Sequence, residues 1–363
     1  MLKIAFIDLE IGSQGRILDI GGVKSGQMFH SAMIPEFVDF IADCDCLCGH
    51  NIVEHDIRYL RPFLKKEYVL IDTLYLSPLL FPRKPYHNLL KDDKILSDEL
   101  NNPLNDSLKA QSLYGDEINA FNSLDKGFKQ LYYDLLNEDI HFSGFFRSIE
   151  YVPSRRPLFL RKSLAGSMAE LLEGKICVHS DLDRLVARHK VECAYASALI
   201  NTDDRNSITP AWVLRNHPEV ENVVRRLRAV NCGDGRCGYC SRKLDAEYSL
   251  KKWFGYDHFR TFGGEPLQEN AAKAAIAGES LLAIFPTGGG KSLTFQLPAL
   301  MAGDAVKGLT IVISPLQSLM KDQVENLEKK GVSEAVYING LLSPIEGVTL
   351  STGWNPVRPR SCT

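Results

Sequence analysis

Short, mostly apolar runs recur in the first third of the chain, a pattern typical of strands. These runs cover residues 3–9, 16–23 and 68–71, and turn-forming residues at 24–27 follow the second run. Apolar residues three or four positions apart, the spacing of a helix, cover residues 52–64 and 106–114. Residues 1–124 are therefore predicted to form an α/β domain.

The middle of the chain changes to a mostly helical pattern. Apolar residues recur at helical spacing over residues 167–172, 181–200 and 218–230. We therefore predict that residues 125–248 form a mostly helical connector.

Helix and strand alternate again from residue 249. Candidate helices cover 268–277 and 316–330, another helix starts at Lys291, and candidate strands cover 280–285 and 309–314. This alternation predicts a parallel sheet with covering helices over residues 249–346. Residues 347–363 are turn-rich and basic, without apolar periodicity, so we interpret them as an irregular tail from a frameshifted or prematurely ended reading frame.

Composition indicates a soluble, globular chain. Its 363 residues are 45% hydrophobic and 24% charged, which excludes fibrous and wholly disordered proteins and suits two or three domains. No apolar run reaches the ~18 residues that span a bilayer, and acidic residues interrupt the opening run, unlike a signal peptide. We expect a cytoplasmic protein without a membrane partner. The net charge of −3 argues against a chain-wide electrostatic hold on nucleic acid and leaves room for local basic patches.

The nine cysteines are unevenly placed, and their odd number indicates reduced thiols or metal ligands rather than disulfides. One group has the spacing that lets thiolates of a tight turn reach one zinc ion: Cys232, Cys237 and Cys240. The fourth ligand stays open among Cys193, His189 and His217, and the alternatives are an iron–sulfur cluster or metal-free buried thiols. The other group is predicted to consist of small core residues on a buried strand: Cys44, Cys46 and Cys48.

Two acidic side chains end the first predicted strand. Asp8 and Glu10 are two residues apart and so project from one face. Two carboxylates together are costly there unless the strand end is exposed or a cation neutralises them. Two later acids, Asp56 and Asp106, each lie in a candidate helical segment.

The order and spacing of these four acids resemble the active site of the DEDD-type 3′→5′ exonucleases. The surrounding residues agree, because Ile71-Asp72-Thr73-Leu74 follows a strand and Tyr86-His87-Asn88-Leu89 precedes the last acid. The resemblance implies a ribonuclease H-like fold and two Mg²⁺ or Mn²⁺ ions held by Asp8, Glu10, Asp56 and Asp106. Asp8 would be the ligand that bridges the two ions.

One position departs from the pattern of that family. The family carries His or Tyr a few residues before its last acid, whereas Asn101 stands five residues before Asp106. Asn101 can position the attacking water but is a negligible base. An alternative takes His87 as the base and Asp92 as the fourth acid. We prefer Asp106, because the residues around His87 fit the segment that the family carries upstream of its last acid.

A glycine-rich loop follows the strand predicted at 280–285 and leads into a helix, which is the context of a phosphate-binding loop. Its glycines would let backbone N–H groups converge on a phosphate, and the helix N-terminus adds partial positive charge. Lys291 is expected to contact the β- and γ-phosphates of ATP, and Ser292 to ligate Mg²⁺. Phe285 stands where the general pattern has its first glycine. The candidate loop residues are Thr287, Gly288, Gly289, Gly290, Lys291 and Ser292.

Several segments resemble the RecQ-family DNA helicases, superfamily 2 ATPases that translocate 3′→5′ on DNA. They are Trp253 to Arg260, Gln268, Pro286 to Ser292, Gln296 to Ala299, Ser314 to Leu316 and Ser318 to Gln323. The resemblance implies the start of a RecA-like lobe with a P-loop over residues 249–346. It also implies that Tyr256 and Arg260 stack on adenine and that Gln268 reads its edge, although five extra residues, 263–267, precede this glutamine.

The leading hypothesis is a metal-dependent 3′→5′ exonuclease of single-stranded DNA or 3′ ends, joined to the ATP-binding start of a RecQ-type helicase and acting in DNA repair or recombination. The sequence lacks the D-E-x-H box with which a RecQ motor holds Mg²⁺ and activates water, so we expect no unwinding. RNA stays open as a substrate, because the acids would read the phosphate backbone. One alternative is a RecQ-type helicase fragment whose N-terminal domain only binds nucleic acid. Another is an inert product or DNA-binding module.

Overall fold

The computed structural model describes residues 2–84, 87, 89, 102–153, 162–202, 209–286 and 288–338. Contacts between residues divide the chain into two compact units, Met1–Leu227 and Arg228–Thr363, which we call unit 1 and unit 2. Within the described residues, no helix combines the length and the apolar character needed to cross a membrane.

Unit 1 contains a five-stranded mixed sheet. Its strands are β1 Ile4–Ile11, β2 Ile17–Lys24, β3 Gln27–His30, β4 Cys46–Gly49 and β5 Val69–Asp72. The strand order is β3-β2-β1-β4-β5; β2 is antiparallel to β1 and β3, whereas β1, β4 and β5 are parallel. Ser25 and Gly26 both have positive φ, +46° and +80°, which suits a two-residue hairpin turn. The strands predicted at 3–9, 16–23 and 68–71 are therefore confirmed.

The two central strands of the sheet are largely buried. Ala5 and Ile7 of β1 have no exposed surface, and neither do Cys46, Leu47 and Cys48 of β4. A strand covered on both faces is apolar throughout rather than alternating, as β4 is. The prediction that the cysteines of this strand are small core residues is confirmed.

The helices described in unit 1 are α1 Ile34–Ile41, α2 Asp56–Leu60, α3 Thr73–Leu80, α4 Pro103–Ser123, α5 Lys126–Leu136, α6 Ser143–Ser148, α7 Leu164–Leu171, α8 Leu182–Arg188, α9 Lys190–Thr202, α10 Ala211–Asn216 and α11 Glu219–Arg228, and a 3₁₀ turn spans Arg61–Phe63. Local signals define the start of α4: Asn102 Oδ1 accepts from the N–H groups of Leu104 and Asn105, and Pro103 occupies the first helical position.

The single helix predicted over 181–200 is two helices, α8 and α9. The break falls at His189, whose φ of −137° and ψ of 55° lie outside the helical region. A one-residue break hardly disturbs the apolar spacing, so the pattern did not reveal it.

Unit 2 contains α12 Cys240–Lys243, α13 Ala246–Phe254, α14 Leu267–Ile276, α15 Leu293–Val306 and α16 Gln317–Glu328. Its core consists of apolar side chains from α13, α15 and the residues after α16, namely Leu250, Trp253, Phe254, Leu293, Leu297, Met301 and Val332. The helices predicted at 268–277 and 316–330 are confirmed as α14 and α16, and the helix predicted from Lys291 is confirmed as α15.

The strands predicted at 280–285 and 309–314 are not formed in the described part of unit 2, and neither is their parallel sheet. Within the described residues, the two segments pair neither with each other nor with another strand, and most of their apolar side chains stay exposed. Examples are Leu282, 87% exposed, and Ile313, 92% exposed. A strand needs a neighbour to satisfy its N–H and C=O groups and a packed layer to bury its side chains. An apolar run indicates that a segment can form a strand, but it supplies neither the neighbouring strand nor the packed layer.

Candidate functional site

The two acids of β1 lie on the sheet face that α4 covers. Asp8 pairs with Gly21 across the β1–β2 ladder, and residues paired in this way share a face. Gly21 packs so closely against the first turn of α4 that a Cβ there would lie 2.1 Å from the carbonyl carbon of Pro103. Asp8 and Glu10, both half-buried, therefore face the start of the helix that carries Asp106.

Asp106 lies in the first turn of α4, and its side chain is 17% exposed. Lys109 Nζ, one turn along the helix, lies 3.6 Å from Asp106 Oδ1. Farther along α4 the ring of Tyr114 meets that of Phe6, with ring centroids 5.7 Å apart. Phe6 is two residues from Asp8 and shares its face. Helix α4 thus follows the acidic face of β1.

Asp56, the first residue of α2, is the most deeply buried of the four acids, with 1% of its surface exposed. Its Oδ1 accepts a 3.0 Å hydrogen bond from the backbone N–H of Leu9, the residue between the two acids of β1. Burial raises the pKa of Asp56, because a buried carboxylate loses its hydration. His55 Nδ1 lies 3.5 Å from the same oxygen, and this contact raises the pKa of His55.

The structure therefore brings elements that carry all four predicted acids to β1. It does not close their oxygens into one tight ligand shell. Among the described residues, the one group of three or more cysteine, histidine or acidic side chains whose ligand atoms lie within 4.8 Å of one another is a group of thiols. Carboxylates repel one another, so a wider spacing is expected of the acids taken alone.

The two residues considered for the base position differ in what the structure describes. Asn101 lies outside the described residues, and so does Asp92, the acid of the alternative pairing. His87 is buried, and its Nδ1 lies 2.8 Å from Ser77 Oγ of α3. Burial lowers the pKa of His87 to about 4, so this ring is neutral near pH 7.

Asp72, between β5 and α3, has a structural role that its sequence motif did not reveal. Its Oδ1 accepts from the N–H groups of Asn51 and Leu74, and its Oδ2 accepts from that of Val53. Burial raises the pKa of Asp72 to about 6. This carboxylate ties the loop before α2 to the start of α3 and so positions Asp56. An acid directly between a strand and a helix is the N-cap signal that could have revealed this role.

The predicted phosphate loop is a tight turn between Pro286 and α15. The N–H of Gly289 donates to the carbonyl of Pro286 over 3.0 Å. Gly288 and Gly290 have φ of +76° and +72°, values that favour glycine. Thr287, predicted as part of the same site, lies outside the described residues.

Gln268 connects this loop with the segment predicted to contact adenine. Its Nε2 donates to the carbonyl of Gly290 over 3.0 Å, and its Oε1 accepts from the backbone N–H of Arg260 over 2.9 Å. Arg260 Nη1 in turn donates to the carbonyl of Gly288 over 3.1 Å. Gln268 is buried, with 2% of its surface exposed. The structure thus brings Arg260, Gln268 and the glycine loop together.

The five extra residues before Gln268 leave this arrangement intact. Phe262 and Glu265 exchange two backbone hydrogen bonds, of 2.9 and 3.0 Å, around Gly263 and Gly264. Both glycines have positive φ. The insertion therefore forms a tight turn before α14, and Gln268 still reaches Arg260.

Lys291 and Ser292 lie where the loop enters α15. Lys291 Nζ donates to the carbonyl of Phe285 over 3.1 Å, so the ammonium group folds back over the loop. The contacts described for Tyr256 are with the ring of Phe254, centroids 6.5 Å apart, and with Lys330 Nζ, 5.2 Å from the Tyr256 centroid. Tyr256 is 47% exposed, which leaves much of its surface available to a ligand.

This loop and its surroundings fall in a segment that matches a helicase family. Residues 265–348 match the DEAD/DEAH box helicase family. Relatives include the ATP-dependent DNA helicase RecQ of Synechocystis, 42% identical over 98 residues, and that of Bacillus subtilis, 46% identical over 98 residues. Another is the ATP-dependent DNA helicase Q5 of Mus musculus, 43% identical over 121 residues. This part of the chain is therefore similar to a portion of the motor of RecQ-type DNA helicases.

The similarity is confined to part of each protein. The three alignments cover 27%, 27% and 33% of this chain, and 19%, 15% and 11% of the respective relatives. The chain thus spans less than a fifth of the length of these relatives. No solved structure matches the chain.

The three predicted zinc ligands lie together in unit 2: Cys232, Cys237 and Cys240. Their Sγ atoms lie within 4.8 Å of one another. Two of the residues considered for the fourth position are engaged inside unit 1. Cys193 is buried in α9, and His217 Nδ1 lies 3.4 Å from Glu192 Oε1. The third, His189, separates α8 from α9.

Proposed function

We propose that unit 1 is a metal-dependent 3′→5′ exonuclease that acts on DNA. The observation that carries this proposal is the hydrogen bond from the N–H of Leu9 to Asp56, because it holds a third acid against the backbone between Asp8 and Glu10. A mixed sheet with β1 at its centre and α4 along the acidic face is compatible with the ribonuclease H-like fold that the resemblance implies. Asp106, at the start of α4, supplies the fourth acid.

The donor set fits Mg²⁺ or Mn²⁺. Asp8, Glu10, Asp56 and Asp106 offer carboxylate oxygens, the ligands that these cations prefer. Asp56 is buried and its pKa is raised, so a nearby cation would offset the cost of its buried charge. When bound, two such ions would lower the pKa of the attacking water and stabilise the charge that develops on the phosphate. The chain itself orients Asp56 through Leu9.

The proposed substrate is a DNA strand entered at its 3′ end, in single-stranded form. The acids would contact phosphate oxygens, which DNA and RNA share, so preference for DNA is inferred from the helicase portion of the same chain. Asn101 would orient the attacking water by a hydrogen bond rather than deprotonate it. Catalysis is therefore expected to be slower than with His or Tyr at that position.

A second proposed function is that unit 2 binds ATP together with Mg²⁺. DNA is the proposed partner of this unit. The supporting observation is the network in which Gln268 joins Arg260 to the carbonyl of Gly290. The relatives are named as ATP-dependent DNA helicases. By analogy, Lys291 would contact the terminal phosphates and Ser292 would ligate Mg²⁺. Tyr256 would contact the base.

Digestion of end-labelled DNA with Mn²⁺ present tests the exonuclease proposal. The chain is incubated with single-stranded and double-stranded DNA labelled at the 5′ end, and with matching RNA. We expect shortening from the 3′ end of single-stranded DNA with release of mononucleotides. Asp56→Asn and Asp106→Asn should each lower the rate by more than the ~10–100-fold that loss of an outer-shell partner costs.

Asp39→Asn is the matched control, since Asp39 is exposed and pairs only with Lys65 among the described contacts. This variant should digest DNA at the rate of the unmodified chain. Full activity in both Asp56→Asn and Asp106→Asn would overturn the assignment of these acids. Faster digestion of RNA than of DNA would reverse the proposed substrate.

A further inference from the structure

The loop before α2, residues 50–55, leads from β4 directly to Asp56. Asp72, at the end of β5, ties this loop to the sheet by accepting from the N–H groups of Asn51 and Val53. Asn51 has a φ of +73°, a left-handed value that residues other than glycine rarely adopt. The loop therefore depends on contacts from outside its own segment to keep its shape.

The helical part of unit 1 also contacts this loop. His141, between α5 and α6, lies with its Nε2 3.2 Å from Glu54 Oε1, and Glu54 precedes Asp56 by two residues. The Nδ1 of the same ring lies 3.1 Å from Asp139 Oδ1. His141 and Glu54 are 87 positions apart in the sequence, so tertiary structure alone brings them together.

The ring of His141 is itself held in place. It stacks on the ring of Tyr75 in α3, with centroids 3.9 Å apart and planes inclined by 21°. The hydroxyl of Tyr75 accepts from Asn216 Nδ2 over 2.7 Å, and its carbonyl accepts from the Tyr195 hydroxyl over 2.9 Å. The His141 side chain is 14% exposed. This packing leaves the ring little freedom to turn away from Glu54.

Charge strengthens the contact between His141 and the loop. Both ring nitrogens face carboxylates, and a protonated imidazole can donate to both. Burial lowers the pKa of His141, but hydrogen bonds with Asp139 and Glu54 outweigh burial and raise the pKa overall. Hydrogen bonds between charged groups are stronger than those between neutral groups. Arg58 Nη2, one turn along α2, also contacts Glu54, so of these two cations only His141 comes from the helical part of unit 1.

We propose that His141 is a positioning residue for Asp56. It holds Glu54, and Glu54 lies in the loop that leads to Asp56 two residues later. This inference rests on the exonuclease function proposed above and adds a residue that lies outside the four acids. The helical residues of unit 1 would then support the nuclease site rather than serve only as a connector.

The test compares His141→Ala and Glu54→Ala, singly and together, in DNA digestion and in calorimetric titration with Mn²⁺ alone. Each single variant should lose about 10-fold in kcat and bind Mn²⁺ more weakly, as expected for a partner outside the ligand shell. The KM for DNA should stay unchanged, because both residues act through Asp56. If His141 acts through Glu54, the double variant loses no more than Glu54→Ala alone. Losses that multiply would contradict this path.

Glu54→Gln is a milder variant that keeps an acceptor oxygen for His141. The Glu54 side chain is 38% exposed, so this substitution leaves the core of unit 1 intact if His141→Ala fails to fold. It should recover part of the kcat that Glu54→Ala loses. A loss in Glu54→Gln as large as in Glu54→Ala would argue against a role for the hydrogen bond from His141.

His217→Ala is the matched control. The ring of His217 also meets that of Tyr75, with centroids 6.3 Å apart, and its Nδ1 lies 3.4 Å from Glu192 Oε1. This variant removes an imidazole from the same aromatic cluster and should still digest DNA and bind Mn²⁺ like the unmodified chain. An equal loss in His217→Ala and His141→Ala would show that His141 only stabilises the fold.

Hydrogen exchange separates a failure of this inference from a failure of the proposed function. The N–H groups of Val53 and Ile57 are hydrogen-bonded, to Asp72 and to the carbonyl of Ile52, and report on the loop whether or not the chain digests DNA. They should exchange faster in His141→Ala than in His217→Ala. This difference in a chain that digests no DNA would overturn the exonuclease proposal and support the hold on the loop. Unchanged exchange, or digestion at an unchanged rate, in His141→Ala would overturn the inference.

Discussion

The positions and pKa values of single carboxylates and imidazoles in unit 1 are set by the backbone groups and charges around them. The carboxylate of Asp56 accepts a hydrogen bond from the N–H of Leu9, and that of Asp72 accepts hydrogen bonds from three N–H groups in two segments. Hydrogen bonds of this kind to a carboxylate are stronger than those between neutral groups. They explain how the loop before α2 holds a buried acid in a fixed place.

His87 should make the folded chain sensitive to acid. The pKa of His87 in the folded chain is lowered from 6.5 to about 4 by burial. The unfolded chain takes up this proton near pH 6.5, so the free energy of unfolding should fall as the pH drops from 6.5 to 4, by up to about 3 kcal/mol. In His87→Gln this part of the pH dependence should disappear. Thermal melts of both chains across this range measure it.

His141 supplies a contrast of opposite sign. Burial lowers its pKa, but hydrogen bonds with Asp139 and Glu54 outweigh that effect and raise the pKa overall. Stability from His141 is therefore present below its unfolded pKa and is lost as the pH rises through the folded one. His141→Gln should lose more stability at acid pH than at alkaline pH. Equal slopes in both histidine variants would contradict these assignments.

At the scale of elements, the packing of α4 on the sheet decides whether the acids can meet. The helix begins at a local signal, Asn102 followed by Pro103, and its start lies directly on Gly21 of β2. No side chain fits between strand and helix at this point. Glycine is required here by close approach rather than by its backbone angles.

Gly21→Ala should therefore displace α4 and weaken unit 1. The added Cβ would lie 2.1 Å from the backbone of Pro103, which cannot move as a flexible side chain would. Overpacking of this kind costs about 3 kcal/mol. Thermal unfolding should show the loss, and DNA digestion should fall with it because Asp106 moves.

Gly115→Ala is the control on the same helix. A Cβ at Gly115 meets nothing within 4 Å, and alanine favours a helix interior over glycine by about 0.5–1 kcal/mol. This variant should be slightly more stable than the unmodified chain. A Gly21→Ala chain as stable as Gly115→Ala would show that α4 does not pack on β2 as described.

At the scale of the whole molecule, the two units are expected to carry separable activities. Lys291→Ala should abolish binding of a fluorescent ATP analogue, because the ammonium group that contacts the phosphates is lost. The same variant should digest DNA at an unchanged rate. Lys273→Ala is the control, since Lys273 is an exposed lysine of α14 that pairs with Glu269. Loss of digestion in Lys291→Ala would argue against independent units.

The unpaired apolar segments of unit 2 should make the 363-residue chain prone to association. Ile284 and Ile313 are 81% and 92% exposed on extended segments without strand partners. Exposed apolar patches and unpaired strand edges favour contacts between chains. Replacing both residues by lysine should lower the binding of a hydrophobic dye and the light scattering of the chain.

Leu18→Lys is the matched control for this effect. Leu18 is an exposed apolar side chain, but it lies within the paired strand β2. Single exposed apolar residues are normal on a protein surface, so this variant should change neither measurement. An equal decrease in Leu18→Lys would show that the unpaired segments have no special role.

The sequence by itself determined which short segments become helices and strands wherever the signal is local. Short apolar runs predicted β1, β2 and β5, and apolar residues at helical spacing predicted α14 and α16. The glycine loop and the resemblance to RecQ-type helicases were also readable, because the residues concerned are close together in the sequence.

Tertiary structure alone decided which distant groups meet. Gly21 must be glycine because Pro103, 82 residues later, packs on it. The apolar runs at 280–285 and 309–314 stay unpaired because only a neighbouring strand can satisfy the N–H and C=O groups of a strand, whatever its side chains. The placement of Asp56 at Leu9 depends on the same kind of contact. Local propensity acts over a few residues, whereas close packing and buried hydrogen bonds join segments that no sequence spacing connects.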